Sequence, residues 1–202
     1  MKLRTLGSAA TAVALAAGLG MANVGTADAG TADLGTAHAS ASTRAYYWMS
    51  AHTYTFVSWS PDAGDSCLDD SNNGDGTDNL RAFTCNGMAW QKWKVTEYAN
   101  GWAQLMNLAT GRCLDYSNDG NHFGLRTYEC NGPSFNSGFQ QWALVNRYTA
   151  AGAYESVLKS GRWEEDNTDM CLDVSNVGTR GYPCNGPSQD SGYQGWTVLD
   201  QT

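Results

Sequence analysis

The sequence has 202 residues, of which 11% are aromatic and 16% are charged, and its formal net charge is −8. A chain this acidic offers no basic face of the kind that nucleic-acid binding requires. After the N-terminal region no segment approaches the ~20 consecutive apolar residues of a membrane-spanning helix. We therefore expect no nucleic-acid partner and no membrane insertion.

The N-terminal residues are arranged like a secretory signal peptide, with a basic start, an apolar stretch and a cleavage site. Lys2 and Arg4 form a short basic start, and residues 6–24 are almost all Ala, Leu, Val, Gly and Met. Ala27-Asp28-Ala29 then offers a cleavage site, with Ala37-His38-Ala39 as a later alternative. A membrane anchor is the competing interpretation. We expect cleavage and secretion, which would leave 10 basic residues against 19 acidic ones and a net charge of −9.

The segment after the cleavage site predicts no folded structure. Gly-Thr-Ala occurs three times, at Gly25, Gly30 and Gly35, without any apolar periodicity. We expect residues 30–45 to be a flexible tether or a trimmed leader.

From Tyr46 onwards the pattern predicts short β-strands. Aromatic residues become frequent, Gly and Asn interrupt the chain, and no helical stripe is present. Alternating runs occur instead, at residues 54–58, 104–108, 125–128 and 197–199. Short strands separated by turn residues at regular intervals are typical of an all-β sandwich or barrel.

One set of motifs occurs three times in this region. Each unit opens on Cys-Leu-Asp, continues to Cys-Asn-Gly and closes on Gln-x-Trp. The units begin at Cys67, Cys113 and Cys171, and they end at Trp93, Trp142 and Trp196. A block recurring every ~50 residues indicates a repeat architecture. Three such units predict a barrel with pseudo-threefold symmetry, built as one domain.

The repeat also predicts the disulfides. Six cysteines allow 15 pairings, but self-similar units pair Cys67 with Cys85, Cys113 with Cys130 and Cys171 with Cys184. Metal binding is the alternative, but the sequence has no Cys-x-x-Cys and only three histidines.

Acidic segments raise the question of a cation site. The run from Trp163 to Asp169 predicts a surface loop, with a cation site as the alternative. Asp69 to Gly74 and Asp115 to Gly120 faintly resemble a calcium loop, but Leu80 and Arg126 stand where a bidentate Glu is needed. We predict no metal and no cofactor.

The repeated motifs resemble the ricin-B-type lectin domain, a β-trefoil. The stretch from Gln104 to Asp115 is a close match to that family's strand-turn-strand opening, and the resemblance covers residues 46–202. It implies a trefoil with one disulfide per repeat and repeats at about 46–97, 98–147 and 148–202. Because side chains alternate along an extended segment, the Trp residues named above would form the core, while Gln91, Gln140 and Gln194 would bond buried backbone groups.

The resemblance also implies a sugar pocket in each repeat, where a carboxylate accepts hydroxyl hydrogen bonds and an aromatic ring covers the sugar. The Asp two residues after the first Cys corresponds to Asp69, Asp115 and Asp173. The aromatic residue two before the second Cys corresponds to Phe83, Tyr128 and Tyr182. The competing interpretation is that each Asp caps the turn that follows it.

Two departures from the family pattern affect these pockets. The family's Asn before Gln-x-Trp is replaced by Trp90, Phe139 and Tyr193. In addition, Arg81, Arg126 and Arg180 stand four residues before the second Cys, on the same strand face as the aromatic residue. Either each Arg pairs with its Asp and closes the pocket, or the site is rebuilt for an anionic glycan with Arg as a bidentate donor.

The function expected from these residues is carbohydrate binding by a secreted lectin whose partner is a glycan or cell-wall polysaccharide. The alternative is a protein-binding trefoil that serves as an adaptor or subunit of a secreted, toxin-like complex. No catalytic motif is present: Gly-x-Ser-x-Gly, His-Glu-x-x-His and a phosphate loop are all missing from the sequence. We therefore predict no enzyme.

Overall fold

The structure is a computed structural model, and it describes residues 48–71, 80–98, 101–117, 124–163 and 168–202. All of these lie in one compact unit, residues 40–202. The expected signal peptide at residues 1–29 and the expected tether at residues 30–45 lie outside the described residues, as does most of the acidic run after Trp163.

Twelve β-strands make up most of the described chain. They are β1 Thr53–Ser58, β2 Ser66–Asp70, β3 Leu80–Thr84, β4 Trp93–Glu97, β5 Ala103–Asn107, β6 Arg112–Tyr116, β7 Leu125–Glu129, β8 Trp142–Tyr148, β9 Tyr154–Trp163, β10 Asp169–Ser175, β11 Gly178–Pro183 and β12 Trp196–Asp200. The four alternating runs in the sequence fall on β1, β5, β7 and β12, so these strands are confirmed. Within the described ranges the helices are short: a 3-10 turn at Ala89–Gln91, α1 at Gly132–Asn136 and α2 at Gly186–Asp190.

Six of the strands close into a barrel. β1 pairs with β4, β4 with β5, β5 with β8, β8 with β9, β9 with β12, and β12 returns to β1. The other six form the antiparallel hairpins β2–β3, β6–β7 and β10–β11, which join the barrel through β1, β5 and β9. Six barrel strands and three hairpins in threefold order are a β-trefoil, as predicted.

The barrel core is built by strand alternation. Along β4, Trp93 and Val95 are buried while Lys94 and Thr96 are exposed, because successive side chains point to opposite faces of a strand. The Trp of each Gln-x-Trp is fully buried, and its Nε1–H donates to the carbonyl of the Leu in the Cys-Leu-Asp of the same repeat. These bonds run from Trp93 to Leu68 (3.0 Å), from Trp142 to Leu114 (2.9 Å) and from Trp196 to Leu172 (3.3 Å).

Each repeat carries one disulfide, and the pairing is the one that the repeat predicted: Cys67–Cys85, Cys113–Cys130 and Cys171–Cys184. The half-cystines are separated by 18, 17 and 13 residues. By the loop-entropy model, closing loops of this size stabilises the fold by about 3 kcal/mol each.

The Asn of the second and third Cys-Asn-Gly motifs begins the helix that follows it. The Oδ1 atoms of Asn131 and Asn185 accept from the backbone N–H of Ser134 and Ser188, both at 2.8 Å, which caps α1 and α2. Pro residues follow in the first turn of both helices, where no backbone N–H is needed. These single-turn helices therefore arise from capping and carry no amphipathic stripe.

No helix among the described residues is long and apolar enough to cross a membrane.

Candidate functional site

Each hairpin holds one cluster of an Asp, an Arg and an aromatic residue, which we call hairpin clusters 1 to 3. Cluster 1 is Asp69, Arg81 and Phe83; cluster 2 is Asp115, Arg126 and Tyr128; cluster 3 is Asp173, Arg180 and Tyr182. The strand register places each Asp opposite its Arg, and the first Cys of each unit opposite the aromatic residue. Directly opposed residues of an antiparallel pair share a face, so the structure brings together all nine predicted residues as three groups.

The Arg of each cluster lies against its Asp. The distance from Arg Nε to Asp Oδ1 is 3.5 Å in cluster 1, 3.0 Å in cluster 2 and 2.8 Å in cluster 3. The Asp side chains are 2%, 0% and 1% exposed, respectively. Each Arg therefore covers its carboxylate, and a sugar hydroxyl has no direct approach to the Asp while the Arg holds this position.

The same Arg also lies over the aromatic ring. The guanidinium carbon is 4.1 Å from the ring centroid of Phe83, 4.4 Å from that of Tyr128 and 4.1 Å from that of Tyr182. Arg thus fills the space between ring and carboxylate in which the family pattern would place a sugar. Each cluster is a three-layer stack in which a cation–π contact and an ion pair hold one guanidinium.

The buried Gln of each Gln-x-Trp forms hydrogen bonds to the hairpin of its own repeat. Gln91 Nε2 donates to Asp69 Oδ2 (3.1 Å) and to the carbonyl of Thr84 (3.0 Å), and its Oε1 accepts from Asn86 N–H (2.8 Å). Gln140 and Gln194 make the corresponding backbone bonds, to the carbonyls of Glu129 (2.8 Å) and Pro183 (2.9 Å). The three Gln side chains are 0% exposed, so they fix the hairpins and do not reach solvent.

Two further features of the clusters bear on the Asp residues. In cluster 1, Asp69 Oδ1 accepts from the backbone N–H of Ser71 at 3.0 Å, so this Asp also caps the following turn, as the competing interpretation held. In cluster 3, burial raises the pKa of Asp173, and hydrogen bonding to Arg180 opposes that rise.

The aromatic residues before Gln-x-Trp contribute through their backbone. The carbonyls of Phe139 and Tyr193 accept from the N–H groups of Tyr116 (2.7 Å) and Val174 (2.8 Å), the residues that follow the cluster Asp. The Phe139 ring in addition lies 4.6 Å from the guanidinium carbon of Arg162. An aromatic side chain supplies no amide group here, so the family's paired amide hydrogen bonds have no counterpart in these positions.

The structure also contains a cavity that no motif in the sequence predicted. It has a volume of about 680 Å³ and lies between β1, β8, β9 and β12. Its walls include Trp48, Tyr54, Leu144, Tyr154, Trp196 and Val198. These residues belong to different repeats, and no single stretch of sequence signals that they meet.

Within the described ranges, no group of three or more His, Cys, Asp or Glu side chains is arranged to hold a metal ion.

The comparisons with known proteins agree with this geometry. The family model described as "Ricin-type beta-trefoil lectin domain" matches residues 59–149. A search of the curated proteins returned no significant match. Among solved structures the chain is similar to the beta-trefoil lectin of the Vibrio vulnificus hemolysin/cytolysin, with 21% identity, a TM-score of 0.52, and coverage of 76% of this chain and 98% of that one.

Two other solved structures show how this fold occurs elsewhere. The designed threefold-symmetric protein ThreeFoil matches with 20% identity and a TM-score of 0.52, over 73% of this chain and 98% of that one. A GlcNAcα1-4Gal-releasing endo-β-galactosidase from Clostridium perfringens matches with 15% identity and a TM-score of 0.53, over 75% of this chain but only 33% of the enzyme. At these identities the likeness shows the fold alone. Together with the family match over residues 59–149, it makes the chain similar to ricin-type β-trefoil lectin domains.

Proposed function

We propose that the protein is a secreted lectin that binds a glycan or cell-wall polysaccharide at its three hairpin clusters and performs no catalysis. The observation that carries the proposal is the threefold occurrence of one surface group, an aromatic ring beside a guanidinium. The rings of Phe83, Tyr128 and Tyr182 are 41%, 37% and 38% exposed. Rings of this kind cover the apolar face of a pyranose, and the match of residues 59–149 to a lectin-domain model supports the same class of ligand.

The proposal includes a specific mode of contact. With each Asp covered by its Arg, the groups offered to a glycan are the ring and the guanidinium, and the Asp acts by fixing the Arg. An acid–base role is not supported, since these carboxylates are buried and ion-paired. One shallow site of ~mM affinity corresponds to about −4 kcal/mol, and three sites on one polymer could raise the avidity by ~10² or more.

The proposed organisation of the chain follows the sequence. Residues 1–29 are removed on export, residues 30–45 form a tether, and residues 46–202 form the lectin domain. Three disulfides within this domain favour an oxidising, extracellular environment.

The test removes the three exposed rings together, as Phe83→Ala, Tyr128→Ala and Tyr182→Ala. A glycan array first identifies a polysaccharide that the unaltered protein binds. We expect the triple variant to bind this polysaccharide at least tenfold more weakly in affinity gel electrophoresis. Tyr148→Ala is the matched control, because Tyr148 is 68% exposed and lies on β8, outside the hairpins. Circular dichroism checks that the triple variant is folded. A triple variant that binds as tightly as the control would overturn the proposal.

A second candidate function, protein binding, is favoured by a different surface. Met49, Tyr148 and Tyr154 are 50%, 68% and 47% exposed, and the two tyrosine rings lie 5.3 Å apart. Exposed aromatic and Met side chains are enriched at protein interfaces. Affinity purification from culture medium separates the two functions: a stoichiometric protein partner that survives added sugar and is lost in Tyr148→Ser/Tyr154→Ser supports protein binding.

A further inference from the structure

The polar group that all three hairpin clusters present to solvent is a cation. The Arg side chains of clusters 1, 2 and 3 are 42%, 20% and 19% exposed, whereas the Asp side chains beneath them are at most 2% exposed. A guanidinium donates hydrogen bonds and accepts none. The clusters therefore offer donors to a ligand where a carboxylate would have offered acceptors.

The orientation of each guanidinium is fixed before any ligand arrives. The Asp Oδ1 lies 2.8–3.5 Å from the Arg Nε. The aromatic ring lies against the face of the guanidinium, with 4.1–4.4 Å between the guanidinium carbon and the ring centroid. A group held on two sides loses little further rotamer freedom on binding. The arrangement recurs with Phe in one repeat and Tyr in two, so ring and guanidinium are the shared features and the phenol hydroxyl is not.

The ligand chemistry follows from these donors. A planar guanidinium fits the paired oxygens of a carboxylate or phosphate in bidentate geometry, and the adjacent ring suits the apolar face of a sugar. We propose that the hairpin clusters recognise acidic glycans, through carboxylate or phosphate groups carried on the sugar chain. This inference rests on the proposed lectin function and names its class of ligand.

The overall charge of the protein makes this specificity testable. The full chain carries a formal charge of −8, so long-range electrostatics repel a polyanion. Preference for an acidic polymer over a neutral one would therefore have to come from short-range contacts such as those of the clusters.

The first experiment is affinity electrophoresis of the disulfide-bonded protein in gels that contain dextran, polygalacturonate or a phosphomannan. We expect retardation by an acidic polymer to give an apparent affinity at least tenfold higher than that for dextran. Retardation by polygalacturonate alone assigns the carboxylate as the recognised group, and retardation by the phosphomannan alone assigns the phosphate. Equal retardation in dextran and in the acidic polymers overturns the inference.

Variants then test whether the clusters carry the preference. Arg81→Gln is the mildest change, because Arg81 is the most exposed of the three and has the longest ion-pair distance. Lys94→Gln is the control, since it removes one positive charge from an exposed position on β4. We expect Arg81→Gln to weaken acidic-polymer binding at least twofold and Lys94→Gln to leave it unchanged. Equal effects of the two variants overturn the assignment to the clusters.

A triple Arg→Lys variant at positions 81, 126 and 180 keeps a positive charge beside each buried carboxylate. It removes the planar guanidinium, whose paired N–H groups can bind two ligand oxygens at once. We expect it to stay folded and to lose at least tenfold in acidic-polymer affinity; unchanged affinity contradicts recognition by the guanidinium.

The failure of this inference differs from the failure of the lectin proposal. If every polymer retards the protein equally and the triple aromatic variant loses all retardation, the protein is a lectin without preference for acidic glycans. If no polymer or arrayed glycan binds, both proposals are wrong.

Discussion

At the level of single residues, the position four before the second cysteine decides what each cluster offers. Arg at this position reaches both the opposing Asp and the ring two residues along the strand, because all three side chains share one face of the hairpin. The sequence predicted these nine residues and left open whether Arg would pair with Asp or face a ligand. The structure shows the pairing in every repeat, and the ligand contact remains a proposal.

A buried acid outside the clusters gives a residue-scale prediction. Glu155 is 1% exposed, and burial raises its pKa to about 7, while Arg147 at 3.4 Å opposes the rise and Asp190 adds to it. The native state thus holds this proton more tightly than the unfolded state does. This contribution to stability is full below the ordinary Glu pKa of 4.5 and is lost as the pH rises through about 7.

We therefore expect Glu155→Gln to flatten the fall in unfolding free energy between pH 4.5 and pH 7.5. The size of the effect is roughly 3 kcal/mol, at about 1.4 kcal/mol per unit of pKa. Urea unfolding followed by fluorescence at several pH values measures it. Asp70 and Asp173, whose pKa values are also raised by burial, titrate in both proteins and cancel in the comparison. The same pH slope in both proteins would contradict the assignment to Glu155.

At the level of elements, the three hairpins have the same fold but different contacts between them. The residue after each cluster Asp is Asp70, Tyr116 or Val174. Asp70 accepts from Thr127 Oγ1 of the next repeat at 3.0 Å and from Thr110 Oγ1 at 2.5 Å. Tyr116 instead packs on Gly181, where an added Cβ would lie 2.3 Å from the tyrosine Cε2. By the threefold order of the hairpins, the corresponding positions in the third case are Val174 and Ala82, so each pair has its own shape and polarity.

The Tyr116–Gly181 junction yields an element-scale prediction. Gly181→Ala should cost about 1–3 kcal/mol of stability, since overpacking of this kind displaces neighbours. In a Tyr116→Val background, which copies the Val and Ala of the third junction, the same change should cost close to nothing. Chemical denaturation of the four proteins of this double-mutant cycle measures the coupling.

Gly186→Ala is the control for this cycle, because nothing lies within 4 Å of a Cβ added there. If the costs of Tyr116→Val and Gly181→Ala add, with no coupling above ~0.5 kcal/mol, then positions 116 and 181 act independently and the prediction is wrong.

At the level of the whole molecule, the barrel makes the three repeats interdependent. β12 of the last repeat pairs with β1 of the first over five residues, from Tyr54–Asp200 to Ser58–Trp196. The Trp residues of all three Gln-x-Trp motifs belong to one core cluster. A defect in one repeat is therefore a defect in the common core, and the repeats should not unfold separately.

The corresponding prediction concerns Trp142, which is 1% exposed and donates to Leu114 O at 2.9 Å. Trp142→Ala should lower the unfolding free energy by about 3–5 kcal/mol. We expect the variant to keep one transition at a lower denaturant concentration, with fluorescence and circular dichroism coinciding. Two separated transitions would show that the repeats fold as independent units.

The resemblance to the ricin-B-type lectin domain indicated the trefoil and the nine cluster residues. The sequence by itself determined a barrel of short strands with threefold order and the three disulfide pairs. These depend on spacing along the chain: a period of two within strands, a repeat of ~50 residues, and one Cys pair for every repeat. The tertiary structure decided that each Arg covers its Asp, that the hairpin junctions differ, and that residues from separate repeats line a cavity. Those features depend on side-chain conformation and on distances between residues far apart in sequence, for which spacing along the chain carries no signal.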